Sequence, residues 1–307
     1  MISAVARKSS IGRDMNRTKR PLGLSIIGAG RVGQTLGRLA YEAGYEIVDV
    51  VCRSRRSAMK AARFIAAGTP QAALSKSLRP ANVIFITTPD DYIGEAAQLI
   101  LDSQQQAGRA VVLHASGAVS SDALAELRES GFAVGSCHPL QTFESPQQAL
   151  TVIRQSYFCI EGDARAVRTA RSFVRRIGAR SFEIPTDKKP LYHAAAVLAS
   201  GGVTALLSVS FDALGRCGLN EAQARRVLLP LTEATVANVG TVGPRRALTG
   251  PVRRGDIGTV RRNMEALAVN DPQWLAIYRL LAAQGLRVVE PQINPDRTDA
   301  LRELLKD

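Results

Sequence analysis

Residues 22–33 read Leu-Gly-Leu-Ser-Ile-Ile-Gly-Ala-Gly-Arg-Val-Gly. A short apolar run enters Gly-x-Gly-x-x-Gly, and helix-forming sequence follows it. This order demands a strand, a tight turn and a helix in succession, the opening of a βαβ unit. Gly28 permits the turn, Gly30 lets the backbone approach a pyrophosphate, and Gly33 lets the helix pack close to the strand. The helix N-terminus, with Ala29, Arg31 and Val32 beside the glycines, offers free N–H groups to phosphates. A second strand over 45–52 completes the pattern. These residues predict a dinucleotide site.

The end of that second strand selects the dinucleotide. A site for NAD places an acidic residue there to bind the ribose 2′-hydroxyl. This chain instead has Cys52-Arg53-Ser54-Arg55-Arg56-Ser57. A carboxylate repels a 2′-phosphate, whereas guanidinium groups pair with one. Arg53 and Ser54 are the expected ligands, with Arg56 in support, and the expected cofactor is NADP. Asp49 is the competing ribose ligand, but it lies three residues back, inside the strand.

Strand and helix patterns alternate from residue 22 to about 185. Strands are expected over 22–27, 45–52, 83–87, 110–113, 132–136, 157–161 and 180–184. Helices are expected over 34–43, 57–66, 92–101, 121–130 and 164–177. The alternation predicts an α/β fold, a doubly wound and mainly parallel sheet. Beyond Pro190 the sequence reads as helices over 191–214, 221–239, 256–268 and 272–283, with a Gly/Pro-rich loop over 240–254. The expected organisation is a basic tail over 1–20, a nucleotide-binding domain over 21–185 and an all-helical domain over 186–307. The uncharged run 194–211 approaches membrane-span length. Its Ser200, Gly201, Gly202, Thr204, Ser208 and Ser210 instead suggest a buried interface helix, and hence a homodimer.

The net charge is +13. Part of it lies in the tail, where Arg7, Lys8, Arg13, Arg17, Lys19 and Arg20 face only Asp14. That tail has no apolar core, so it is not a secretory signal, and its lack of apolar periodicity predicts disorder. The remaining positive charge suits an anionic substrate as well as NADP. No aromatic-interleaved basic patch points to nucleic acid. Cys52, Cys137, Cys159 and Cys217 show no paired spacing, which suggests reduced thiols in a cytoplasmic protein. No histidine spacing indicates a metal site.

Ligands of open α/β sheets sit beyond the carboxyl ends of the strands. Thr87, Thr88 and Pro89 follow one strand and should border the cofactor. His114-Ala-Ser-Gly follows the next, placing His114, Ser116 and Gly117 near substrate. His138 ends another. Lys189 and His193 share a face of a helix start, with Tyr192 beside them. Reduction by NADPH needs a proton donor. Lys189, near a helix N-terminus that lowers its proton affinity, is the leading one. His138 and His193 are candidates for orienting substrate or relaying protons. Arg254 is placed to hold a carboxylate or phosphate, and Asp256 to cap the helix after it.

Several motifs occur in a fixed order: the glycine turn, Thr87-Thr-Pro-Asp-Asp, His114-Ala-Ser-Gly, His138-Pro-Leu-Gln-Thr-Phe, Lys189-Pro-Leu-Tyr-His-Ala-Ala-Ala-Val and Leu248-Thr-Gly-Pro-Val-Arg-Arg-Gly-Asp. Together they resemble the Rossmann-like oxidoreductases whose helical half is domain of unknown function 2520, over about residues 21–290. Wider relatives are the 6-phosphogluconate dehydrogenase-like, pyrroline-carboxylate reductase-like and deazaflavin-dependent NADP reductase-like enzymes. The resemblance implies an NADP domain joined to a helical one, often in a dimer. The His138-Pro139 pair is also similar to that of prephenate dehydrogenases, where the histidine contacts substrate. Gly201 departs from the asparagine expected after Ala-Ser in the long helix. The resulting expectation is hydride transfer between NADP and a small, anionic carbonyl or imine substrate in the interdomain cleft. The alternative is a non-catalytic NADP-binding sensor or assembly protein.

Overall fold

In the computed structural model, residues 21–73, 78–103 and 105–306 are described. The expected basic tail lies outside them. The chain divides into two compact units, one ending at Ala199 and the other beginning at Ser200. The pattern change near Pro190 therefore precedes the physical boundary by about one helix.

In the first unit the elements run β1 (Gly23–Ile27), α1 (Arg31–Glu42), β2 (Glu46–Cys52), α2 (Arg55–Ile65), β3 (Thr69–Ala72), β4 (Val83–Ile86), α3 (Ile93–Leu101) and β5 (Val111–His114). They continue with α4 (Ala125–Glu129), β6 (Ala133–Leu140), α5 (Pro146–Val152), β7 (Tyr157–Gly162), α6 (Ala164–Arg176), β8 (Arg180–Glu183) and α7 (Lys189–Ala199). One sheet of order β3-β2-β1-β4-β5-β6-β7-β8 results. Every pairing is parallel except β6 with β7. This is the doubly wound, mainly parallel sheet that the alternation predicts. Its central strands are buried on both faces, so they read as continuous apolar runs such as Val-Ile-Phe-Ile in β4.

Successive side chains fall into two cores. Leu24, Ile26, Phe85 and Leu113 join Phe173 on one face. Ile27, Ile84, Ile86 and Val112 join Ile100 and Leu127 on the other. Phe85 and Phe173 stand 4.8 Å apart between ring centroids. The strand β3 was not expected: Thr-Pro-Gln-Ala carries little strand propensity, and it forms as an edge beside β2. The strand containing His138 also runs further than expected, through Pro139 and Leu140, because β7 pairs with it to its end.

The second unit is helical: α8 (Gly201–Arg216), α9 (Glu221–Val242), α10 (Pro244–Ala247), α11 (Pro251–Arg254), α12 (Ile257–Asn270), α13 (Pro272–Val289) and α14 (Pro295–Leu304). Asn220 and Gln223 form a reciprocal capping box at the start of α9. Asp256 caps α12 by accepting from the Thr259 N–H at 3.1 Å. The expected loop over 240–254 contains two one-turn helices, each begun by a proline. Val260, Met264, Ala282, Leu286, Leu301 and Leu305 form the core. The uncharged run is broken at Ser200 and is not buried within this chain: Thr186–Arg216 is apolar enough to cross a membrane by length and composition, and no residue of its most apolar stretch is buried.

Candidate functional site

The strand order reverses between β1 and β4, so the loops after these strands diverge and open a crevice. A cavity of about 500 Å³ lies there, bordered by Gly28, Ala29, Gly30, Arg53, Thr87, Thr88 and Pro89. Gly28 has φ +87°, and a Cβ on it would stand 2.6 Å from the Thr88 nitrogen. Only glycine fits this turn. Gly30 precedes α1 without a capping side chain, leaving the first N–H groups of that helix to a ligand.

Arg53 is exposed, borders the cavity and makes no ion pair among the described residues. Ser54 is spent elsewhere: its oxygen accepts from the Ser57 N–H at 3.2 Å and caps α2. Ser57 borders the cavity in its place, and Ser54 and Arg56 do not. Arg31 and Gly33 also stand outside the lining, Gly33 packing against Thr87. Asp49 is fully buried and accepts from the Arg79 N–H at 2.7 Å and Nε at 3.1 Å, so it is not a ribose ligand. The donor set suits a dinucleotide with an extra phosphate: a bare turn, a helix N-terminus, and an unpaired guanidinium beside a hydroxyl.

A second cavity, of about 210 Å³, shares Thr87 and Thr88 with the first. Val32, Asp90, Ser116, Gly117, His138, Gln141, Phe143 and His193 also line it. Of these, Asp90, Gln141 and Phe143 fall within the motifs Thr87-Thr-Pro-Asp-Asp and His138-Pro-Leu-Gln-Thr-Phe, but the sequence alone assigned them no role.

The antiparallel ladder of β6 and β7 explains what lies behind the pocket. Ser136 pairs with Glu161 and His138 with Cys159. Alternation puts these four side chains on one face and Cys137 on the other. Lys189, the first residue of α7, is fully buried against them. Its Nζ donates to Ser136 Oγ at 2.6 Å and stands 4.0 Å from Glu161 Oε1. Glu161 also accepts from the Ser121 N–H at 2.9 Å and its hydroxyl at 2.7 Å. Burial pushes the Lys189 ammonium below its ordinary pKa, and Cys159 and Glu161 pull it back. Lys189 therefore does not line the pocket as a direct proton donor would. Its Nζ is set behind the wall.

His114 is likewise buried, and its Nδ1 accepts from the Ser116 N–H at 3.2 Å. It braces the loop and does not line the pocket. The Ser116 hydroxyl accepts from the Ala118 and Val119 N–H groups at 3.1 and 2.9 Å. His138 Nδ1 is 2.7 Å from the Tyr192 hydroxyl, so Tyr192 touches the histidine and is not part of the lining. Burial, the Lys189 charge and His193 hold His138 down to about 3; burial and Lys189 hold His114 at about 3 as well. Both are neutral imidazoles at pH 7. Arg254 belongs to the second unit, where it is exposed and lies 3.9 Å from Asp256.

The sequence patterns of two domains match this chain: a Rossmann-like domain over residues 8–139, and DUF2520, a domain of unknown function, over residues 156–284. The chain thus joins a Rossmann-like domain to a DUF2520 domain. The pocket wall draws on both matches, Ser136 and His138 from the first and Glu161, Lys189 and His193 from the second. Among solved structures, protein TM1727 from Thermotoga maritima is 27% identical with a TM-score of 0.71, over 88% of this chain and 99% of that one. BF3122 from Bacteroides fragilis, described as a candidate NADP oxidoreductase, is 24% identical with a TM-score of 0.68, over 86% and 97%. The reductive aminase from Aspergillus terreus, in complex with NADPH and ethyl levulinate, is 12% identical with a TM-score of 0.63, over 92% and 99%. The comparison with curated proteins gave no match. This chain shares its fold with proteins described as oxidoreductases.

Proposed function

We propose that this protein is a cytoplasmic NADP-dependent oxidoreductase that moves a hydride between nicotinamide and a small carbonyl or imine. One observation carries the reading: the glycine-turn cavity and the histidine pocket share Thr87 and Thr88. A dinucleotide held at the turn would present its far end to His138, Gly117 and His193. NADP supplies the hydride when bound, and Gly28, Gly30, the N-terminus of α1, Arg53 and Ser57 would hold it. The solved fold-mates described with NADP or NADPH agree with this assignment.

The charged side chain in the pocket lining is acidic, Asp90. A small neutral substrate suits this lining better than the anion expected from net charge. The exposed apolar side chains of α8 and α9, among them Leu206, Leu231 and Val236, support the proposal of a homodimer.

Fluorescence titration with NADPH and NADH, followed by NADPH oxidation with ketones, aldehydes and imines, tests the reading. Tight NADPH uptake with oxidation by one class is the expected result. Uptake without oxidation by any class would favour the sensor, and no uptake would remove the cofactor assignment.

A further inference from the structure

Lys189, Ser136 and the Ser116–Gly117 peptide form a line from the buried Nζ to the pocket. Lys189 Nζ donates to Ser136 Oγ at 2.6 Å, and Ser136 Oγ donates to the Ser116 carbonyl at 3.2 Å. No peptide bond in the described chain is cis. A trans peptide points its carbonyl and N–H in opposite directions. With the Ser116 carbonyl turned inward to Ser136, the Gly117 N–H is turned outward, toward the pocket that Gly117 lines. No hydrogen bond takes up that N–H among the described residues.

Two imidazoles close on the same point. A Cβ on Gly117 would stand 2.7 Å from His138 Nε2 and 2.5 Å from His193 Nδ1. The glycine is therefore required by close approach. His193 Nδ1 is buried and without a partner in the described structure, so a polar ligand atom beside it would be accommodated. Burial raises the Tyr192 phenol above its ordinary pKa, so it stays protonated. Taken as the donor to His138 Nδ1, 2.7 Å away, the phenol places the imidazole proton on Nε2.

We infer that the Gly117 N–H and His138 Nε2–H form an oxyanion cradle, polarised from behind by Lys189 through Ser136, and that the substrate class is a carbonyl rather than an iminium. This inference rests on the oxidoreductase reading above. The carbonyl carbon receives hydride from the reduced nicotinamide, which becomes oxidised. The C=O π pair moves to oxygen, the two donors hold the resulting alkoxide, and solvent supplies its proton. Donors of this kind act where negative charge develops. An iminium gains none, because hydride addition neutralises its nitrogen. Gly117 and His138 touch the reacting oxygen. Lys189, Ser136 and Tyr192 are positioning residues.

The variant Ser136→Ala tests the chain, because it leaves the Lys189–Glu161 pair in place. Two measurements decide. In the protein without cofactor, the Gly117 amide proton resonance should move upfield in Ser136→Ala, and again in Lys189→Met if that variant folds, with other strand amides unmoved. An unmoved Gly117 resonance overturns the relay, whether or not any turnover is found. In the NADPH-loaded protein, a ketone or aldehyde should be reduced in preference to an N-alkyl iminium. Ser136→Ala should then lower kcat for the carbonyl by about tenfold, less than the loss on deleting a donor outright, with KM for NADPH unchanged. Preference for the iminium, or a rise in KM for NADPH alone, overturns the assignment of the cradle. Failure to bind NADPH at all defeats the oxidoreductase reading instead and leaves the amide result to judge the relay.

Discussion

The two units use apolar residues in opposite ways. In the first, all five residues of β1 and all four of β4 are buried, and the two cores account for nearly every large side chain of the central strands. In the second, α8 has no buried residue and α9 has only Ala224, although both are rich in leucine and valine. Leu231 is 64% exposed, whereas Phe85 is 0% exposed. The first unit satisfies its own hydrophobic pattern. In the second, α12–α14 build a small core, and the apolar side chains of α8 and α9 are left exposed.

The widest separation should come from deleting one large side chain in the first unit. Phe85→Ala removes a ring packed on Phe173 and should cost about 3–5 kcal/mol in chemical denaturation. A loss below about 1 kcal/mol would mean that the sheet is not the rigid core described.

Acid offers the next test, since both depressed histidines are in the first unit. His114 and His138 fall to about 3, from an ordinary value near 6.5. The unfolded chain takes up protons below about pH 6.5, while the folded chain stays neutral at these positions until about pH 3. Their contribution to stability is therefore complete above pH 6.5 and is lost as pH falls toward 3. The slope is at most about 1.4 kcal/mol per pH unit for each histidine. His114→Asn should flatten the midpoint–pH curve over that window. An unchanged slope would contradict the buried neutral imidazole.

The legibility of the site follows the same division between local and distant causes. The glycine turn is readable because its three glycines, strand and helix are contiguous. Histidines 114, 138 and 193 are readable as polar residues placed at element ends. Lys189 is readable as important but misleading in role. Its partners Ser136 and Glu161 lie 53 and 28 residues away, and only the β6–β7 ladder brings them together. Glu161 did leave a trace, as one acid within the apolar run Tyr-Phe-Cys-Ile-Glu. Ser54 was misassigned for a local reason, since a serine before Arg-Arg-Ser serves equally as a helix cap. The helical unit was readable in content but not in burial, because hydropathy alone does not tell a face packed by its own chain from one left open.

Arg53 gives a smaller effect, confined to the cofactor. With a 2′-phosphate beside it, Arg53→Ala should weaken NADPH about tenfold, or about 1.4 kcal/mol. NADH, which lacks that phosphate, should be nearly unaffected. Equal losses for both would place the guanidinium against some other part of the nucleotide.

The smallest expected change is the most telling for the second unit. Leu231→Glu places a good helix former at an exposed position of α9, so the stability of the isolated chain should shift by no more than about 0.5 kcal/mol. Any larger effect must come from outside the chain. If two copies cover the α8–α9 face, the unfolding midpoint of the original protein should rise with protein concentration, because association favours the folded state by mass action. The variant should lose that dependence and, at every concentration, match the original protein at high dilution. A midpoint independent of concentration in both proteins would mean that no second copy covers this face, and the contrast between the units would then be one of exposure alone.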